Sequence, residues 1–253
     1  IIKNNYLIGR GANDMKSSIA CFVSAVSKYL KNNSKINGSI SFLITGDEEG
    51  AAINGTKKVV DYLKKRGEKI NFCIVGEPTC PENMGEMMKI GRRGSMTAYF
   101  TVRGIQGHSA YPHRAKNPLP VMAELICDLT SFELDQGSEH FDPSTLAVTT
   151  IDTGNLANNV IPAESRATVN IRFNDMYTSE ELSVWLKEVT NKIASKSDVE
   201  INMEIQVSGE SFITALGSFS DLVSNSVYSE TGIYPQASTS GGTSDARFIK
   251  DHC

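Results

Sequence analysis

This 253-residue sequence lacks several features, and their absence argues against particular classes of function. No apolar run reaches the length that a transmembrane helix requires, which argues against a membrane partner. The N-terminus shows no charged region, apolar segment and cleavage site of the kind that a secretory leader has. Tight basic clusters occur only in KKRGEK and GRRGS, and the net charge is −4, so we expect no nucleic-acid partner.

Cysteine is also scarce. None of the five cysteines stands in a CxxC pair, which argues against a thiolate zinc site and a redox motif. Cys21 and Cys73 lie in apolar segments, where a free thiol behaves as a small hydrophobic side chain. A reducing cytoplasm is therefore the expected location.

The first third of the chain alternates between helix and strand patterns. Apolar spacing predicts helices at 17–30 and 55–66, and apolar runs predict buried strands at 39–45 and 70–75. This alternation predicts an α/β fold with a mostly parallel central sheet.

Carboxylates follow three apolar runs of this region: Asp14, then Asp47-Glu48-Glu49, then Glu77. Ligands of α/β sheets bind beyond the carboxyl ends of the strands, so these acids are expected to converge. Converging carboxylates repel one another unless a cation or shared protons compensate the charge. The pattern favours a hydrolytic metal site, and the alternative is that these acids cap the following helices.

The pattern changes near Gly94. Strictly alternating or apolar strands and two amphipathic helices follow in the order β-α-β-β-α-β, at 95–103, 118–131, 145–151, 164–173, 179–194 and 199–207. We therefore predict a ferredoxin-like domain at 94–208, inserted into a first domain that comprises 1–93 and 209–253.

Seven motifs stand in order along nearly the whole chain: GRGANDMK, ITGDEEG, GEPT, GRRGS, GHSAYPH, NNVIP and TSGGTSDARF. Together they resemble the dinuclear zinc amidohydrolases of the M20 peptidase family. The resemblance implies a zinc-peptidase-like catalytic domain and an inserted lid and dimerisation domain. It also implies a homodimer through 94–208, and two zinc ions per complete chain, with cobalt as a substitute.

The resemblance also assigns roles to five residues. Asp14 corresponds to the carboxylate that bridges the two zinc ions, and Glu49 and Glu77 each correspond to a ligand of one ion. Glu48 corresponds to the general base. His108 corresponds to a histidine that reaches across the dimer interface and donates to the oxyanion.

The implied reaction is hydrolysis of a small molecule, a succinylated diamino diacid of amino-acid biosynthesis. Arginine suits carboxylates because its guanidinium binds them in a bidentate manner. The candidate substrate contacts are Arg92, Asn158, Asn159, Arg172, Thr243 and Arg247. A related acylamino-acid deacylase of the acetylornithine type, a dipeptidase and a non-catalytic dimerising module remain as alternatives.

The chain departs from the family in two elements. The HxD motif that precedes GRGANDMK in the family does not occur within the 253 residues, nor does the family's C-terminal histidine, because His252 lies too close to SDARF to be that residue. The chain begins and stops in mid-element, so we expect a first domain that is incomplete at both ends. Because zinc takes about four ligands, often with histidine among them, we expect this chain to bind zinc weakly and to be inactive alone.

Overall fold

The computed structural model describes residues 1–33, 35–50 and 52–253, which divide into two compact units. Unit 1 comprises Ile1–Lys89, Thr214–Ala237 and Ser244–Cys253, and unit 2 comprises Ile90–Ile213 and Ser238–Thr243. The predicted inserted domain, 94–208, lies inside the first segment of unit 2, whereas Ser238–Thr243, which the prediction placed in the first domain, group with unit 2. The catalytic and lid roles that the sequence assigned to the two regions stay predictions.

The first segment of unit 1 is mainly helical. Its elements are β1 (Ile2–Lys3), β2 (Tyr6–Leu7), a π-helical turn (Ala12–Lys16), α1 (Ser17–Asn32), α2 (Thr56–Lys65) and β3 (Met87–Lys89). The predicted helices are thus confirmed. Ile19, Phe22 and Val26 on the apolar face of α1 are half-buried, whereas Val23 and Leu30 on the same face are exposed.

The predicted strands at 39–45 and 70–75 are wrong. In the part of the chain that the structure describes, neither segment pairs with a strand, and Ile40 and Ile44 are 50% and 62% exposed. A strand needs a partner backbone about 4.8 Å away, and none of the described residues supplies one to these two segments. The apolar runs therefore indicated side chains that favour burial. No β-ladder forms at either segment among the described residues.

Unit 2 contains the β-α-β-β-α-β arrangement that the sequence predicts. Its elements are β4 (Gly91–Arg92), β5 (Gly94–Arg103), β6 (Gly107–His108), α3 (Pro118–Ser131), β7 (Thr145–Asp152), β8 (Val160–Ile161), β9 (Glu164–Phe173), α4 (Ser179–Ala194), β10 (Glu200–Gly209) and β11 (Phe212–Ile213). Four strands form one antiparallel sheet in the order β10-β5-β9-β7, the ferredoxin-like order, and two short ladders pair β6 with β8 and β4 with β11.

The core of unit 2 lies between this sheet and its two helices. One face of β5 is wholly buried because its apolar residues recur at every second position, the period of a strand. The members of this face are Met96, Ala98, Phe100 and Val102, each at most 1% exposed. They share a cluster with Leu125 of α3 and Leu186 of α4. Thr178 and Glu181 form a capping box at the start of α4.

The last segment adds α5 (Ser218–Thr231), β12 (Gln236–Ser238) and α6 (Ala246–Ile249). Helix α5 ends before Gly232, whose φ of 74° suits a helix C-terminus. Helix α6 contacts α2 within unit 1. Among the described residues, no helix has the length and apolar character to cross a bilayer.

Candidate functional site

Asp14 lies in the turn that leads into α1. Gly11 adopts a φ of 72°, and its carbonyl accepts a hydrogen bond from Lys16 N at 2.9 Å, which closes the turn around Asp14. The peptide bond between Asp14 and Met15 is cis, and the carboxylate is exposed. The turn therefore presents this carboxylate at the surface of unit 1.

Asp47 organises the loop that precedes α2. Its Oδ2 accepts hydrogen bonds from the backbone N–H groups of Ile53 at 2.8 Å and Asn54 at 2.9 Å. Such a carboxylate satisfies backbone donors beside a helix entrance, as a cap does. The capping alternative therefore describes Asp47, which is not among the predicted site residues.

Glu48 lies in an electrostatic field that disfavours its charge. Burial raises the pKa of this half-buried carboxyl, and the negative charges of Asp245, Glu49 and Asp14 raise it further, while Arg247 opposes them. Three other predicted site residues of unit 1, Asp14, Glu49 and Arg247, thus lie within electrostatic range of Glu48. A carboxylate with a raised pKa suits proton transfer near neutral pH.

Glu77 follows a glycine that is packed closely against α1. A β-carbon added at Gly76 would lie 2.8 Å from Phe22 Cε2 and 2.9 Å from Met15 Cε, so only glycine fits there without a shift. Met15 is the neighbour of Asp14 in the chain. The half-buried Glu77 is therefore held next to the turn that carries Asp14.

The TSGGTSDARF motif adds two charged side chains to unit 1. Asp245 is 7% exposed, and its Oδ2 accepts hydrogen bonds from Thr56 Oγ1 at 2.6 Å and Thr45 Oγ1 at 3.5 Å. Arg247 has its guanidinium carbon 4.6 Å from the centroid of the Phe248 ring. Sequence reasoning missed Asp245, although it stands inside a motif that carried the family resemblance.

The described residues do not fit a complete zinc site. No group of three or more His, Cys, Asp or Glu side chains among them lies close enough together to hold a metal ion. Asp14, Glu49 and Glu77 would supply carboxylate oxygens, whereas zinc in proteins takes about four ligands. No imidazole joins these carboxylates in the part of the chain described here, so these side chains alone do not complete the coordination of a zinc ion.

His108 and the NNVIP motif meet in unit 2. His108 pairs with Val160 in the β6–β8 ladder, and the backbone N–H of Ser109 donates to the carbonyl of Asn159 at 2.9 Å. Nδ1 of His108 accepts a hydrogen bond from the backbone N–H of Ala110 at 3.0 Å. The neutral ring then carries its hydrogen on Nε2, so this exposed side chain presents a donor to solvent.

Arg92 and Arg172 lie at one end of the four-stranded sheet of unit 2. Arg172 is the second-last residue of β9, and its Nε donates to Asn170 Oδ1 at 3.0 Å. Arg92 precedes β5 by two residues, is buried, and donates from Nη1 to the carbonyl of Ser240 at 2.9 Å. Arg92 therefore also holds the glycine-rich segment that leads to the half-buried Thr243.

The two predicted substrate-contacting groups of unit 2 lie far apart. The β6–β8 pair that carries His108 adjoins the start of β9 at Glu164, whereas Arg172 is eight residues further along that strand. At a rise of about 3.3 Å per residue, eight residues span roughly 26 Å. One bound small molecule cannot contact both ends of the sheet in a single chain.

The comparisons with known proteins agree with this architecture. Residues 90–198 match the family model of the M20 peptidase dimerisation domain. The aminopeptidase PepT of Bacillus cereus superposes on 100% of this chain and 65% of its own, with a TM-score of 0.71 at 19% identity, which confirms the fold class. The chain belongs to the M20 peptidase family.

Within that family, the chain is similar to succinyl-diaminopimelate desuccinylases. It is 58% identical over 251 residues to that of Ruegeria pomeroyi, which covers 99% of this chain. It is 57% identical over 252 residues to that of Cereibacter sphaeroides strain ATCC 17025, which covers 100% of this chain. The chain spans 66% of the length of each of these relatives.

Proposed function

We propose that the protein carrying this chain is a metal-dependent amide hydrolase that converts N-succinyl-LL-2,6-diaminopimelate and water to succinate and LL-2,6-diaminopimelate. The main support is the 58% identity to a desuccinylase over nearly the whole chain. The reaction belongs to lysine and diaminopimelate synthesis. The cysteines, which are unpaired in the structure, support a cytoplasmic location.

Glu48 is the general base of this proposal. Its carboxylate takes a proton from the attacking water and delivers it to the leaving amine, so one group serves both halves of the reaction. Burial and the neighbouring negative charges raise its pKa, which makes the proton easier to hold between the two steps. Arg247 opposes this shift and keeps the group able to ionise.

The metal content that we propose is two zinc ions per complete chain, with cobalt as a substitute. Asp14 would bridge them, and Glu49 and Glu77 would each bind one ion, together with ligands other than the described residues. When bound, such a pair of ions lowers the pKa of water and polarises the amide carbonyl. Zinc analysis of the full-length protein after metal loading tests this point, and fewer than two ions per chain would contradict it.

His108 acts in the active site of the partner subunit in this proposal. The roughly 26 Å between the ends of β9 separates His108, with Asn158 and Asn159, from Arg172, so a second copy must supply one of the two groups. The Nε2 hydrogen of His108 then donates to the oxyanion, a contact worth several kcal/mol in comparable sites. Asn158 and Asn159 would contact the substrate from the same side.

The substrate carboxylates are bound by arginines of the subunit that supplies Glu48, and not of the subunit that supplies His108. Arg172 and Arg247 offer guanidinium groups, and Arg92 also orients the glycine-rich segment that leads to Thr243. Because a succinylated diamino diacid carries several carboxylates, it should outcompete acetylornithine and neutral dipeptides. Competition assays that show acetylornithine preferred would redirect the proposal to that deacylase.

Mixing two inactive variants of the full-length protein tests the arrangement. Glu48→Gln and His108→Ala subunits are exchanged, and about half of the dimers become mixed. Each mixed dimer then contains one site with an intact Glu48 and an intact His108, so activity should recover to about a quarter of wild type.

The matched control mixes Glu48→Gln with Arg172→Ala. Both residues serve the same site, so this mixture should stay inactive. No recovery in the first mixture would show that His108 acts within its own chain or not at all.

A further inference from the structure

We propose that Asp245 is a positioning residue that fixes the acid loop, defined as residues 45–50 and 52–56, through the Thr56 hydroxyl. The acid loop carries Glu48 and Glu49. The catalytic consequence of this inference rests on the proposed function, whereas its structural part does not.

One buried carboxylate holds both ends of the acid loop. Oδ2 of Asp245 accepts a short hydrogen bond of 2.6 Å from Thr56 Oγ1, and Thr56 is only 3% exposed. The same oxygen receives a longer contact of 3.5 Å from Thr45 Oγ1. Because a buried carboxylate is costly unless hydrogen bonds satisfy it, these donors and the carboxylate stabilise one another.

A second set of contacts orders the interior of the loop. Asp47 binds the backbone N–H groups of Ile53 and Asn54, and a β-carbon added at Gly55 would lie 3.6 Å from Thr45 Cβ and 3.7 Å from Asp47 Cβ. The loop is therefore folded back on itself at van der Waals distance. Glu48 and Glu49 stand between these contacts.

The Asp245–Thr56 hydrogen bond also joins two helices at their starts. Thr56 is the first residue of α2, and Asp245 directly precedes α6, which contacts α2. Oδ1 of Asp245 is buried without a hydrogen-bond partner among the described residues, so Oδ2 alone accepts from the two threonine hydroxyls. An asparagine at this position retains an acceptor oxygen for Thr56, whereas an alanine retains none.

Hydrogen exchange on the full-length protein tests the structural part. Asp245→Ala and Thr56→Val should each raise the amide exchange of Ile53 and Asn54 at least tenfold, with exchange in unit 2 unchanged. Asp245→Asn and Thr56→Ser should exchange as wild type does. The double variant Asp245→Ala with Thr56→Val should exchange no faster than Asp245→Ala alone, because the Thr56 hydroxyl acts through Asp245.

Kinetics of the same variants test the catalytic part. Thr56→Val should lower kcat at least tenfold and leave KM within twofold, since a small displacement of a catalytic group slows the chemical step. Thr56→Ser should restore kcat. Wild-type exchange in Asp245→Ala would overturn the proposal, and so would faster exchange with an unchanged kcat. A wild-type protein that does not hydrolyse the succinylated substrate would instead refute the proposed function, and the exchange data would still decide the role of Asp245.

Discussion

Gly104→Ala should destabilise unit 2 and displace the segment that carries His108. Gly104 follows β5, and a β-carbon added there would lie 1.9 Å from the carbonyl oxygen of Lys116, against an ordinary contact of 3.4 Å or more. The two backbones must therefore separate by 3.4 − 1.9 = 1.5 Å. That shift breaks the reciprocal bonds between Ile105 and Lys116, each 2.9 Å long.

Two backbone hydrogen bonds at about 1 kcal/mol each give a loss of about 2 kcal/mol, which agrees with the usual cost of overpacking. For a unit of this size, the loss corresponds to a fall in Tm of roughly 8 °C. Thermal unfolding of the full-length variant measures this fall, and the proposed desuccinylation should decrease in parallel because His108 lies four residues on.

Gly9→Ala is the matched control, since a β-carbon there would meet nothing within 4 Å. Its Tm should equal that of wild type. A Gly104→Ala protein that melts within about 1 °C of wild type would refute the close approach of Gly104 and Lys116.

Three further predictions concern stability and activity. Leu186→Ala should lower the free energy of unfolding by about 2–5 kcal/mol in denaturant titrations, because Leu186 is fully buried, and a loss below about 1 kcal/mol would contradict that packing. Burial opposes the ionisation of Asp135, but hydrogen bonds from Ser144 and Gly137 outweigh it and lower the pKa, so its carboxylate stabilises unit 2 above its ordinary pKa of 3.8. The difference in unfolding free energy between wild type and Asp135→Ala should therefore shrink as the pH falls below 3.8, and a constant difference would exclude this linkage. Glu48→Gln should abolish hydrolysis while bound zinc is retained, and measurable turnover would remove Glu48 as the base.

The sequence was sufficient to predict the elements of unit 2. The alternation of Met96, Ala98, Phe100 and Val102 predicted a strand with one buried face, and the structure buries all four residues. Such a prediction succeeds because the partners of β5 lie within the same unit, at β9 and β10. Pattern, pairing and burial then agree with one another.

The same reasoning failed for 39–45 and 70–75. Their apolar runs are as strong as those of unit 2, but a run does not specify which backbone pairs with it. Ile44, which the pattern predicted to be buried, is 62% exposed. The hydrophobic runs therefore predicted a preference for burial, but they did not predict which strand would pair with each segment.

The residues assigned to the candidate site stay predictions, and their spacing in the sequence did not indicate which contacts each side chain makes. Spacing could not separate Asp47, which binds backbone N–H groups, from the adjacent Glu48, whose pKa burial and neighbouring charges raise. Nor could it identify Asp245, because the hydroxyl that it binds belongs to Thr56, distant in the sequence. Arg92 was predicted as a substrate contact, which stays a prediction, and the structure shows its guanidinium donating to the Ser240 carbonyl.

The strand order of unit 2 also affects how the chain folds. Among the four strands of this sheet, β5 is synthesised first. Its two neighbours in the sheet are β9 and β10, which begin about 70 and 105 residues later. Folding rates fall as contacting residues become more distant in sequence, because long loops must close before their contacts form. Strand β5 therefore has neither of its strand partners until most of the unit has been synthesised.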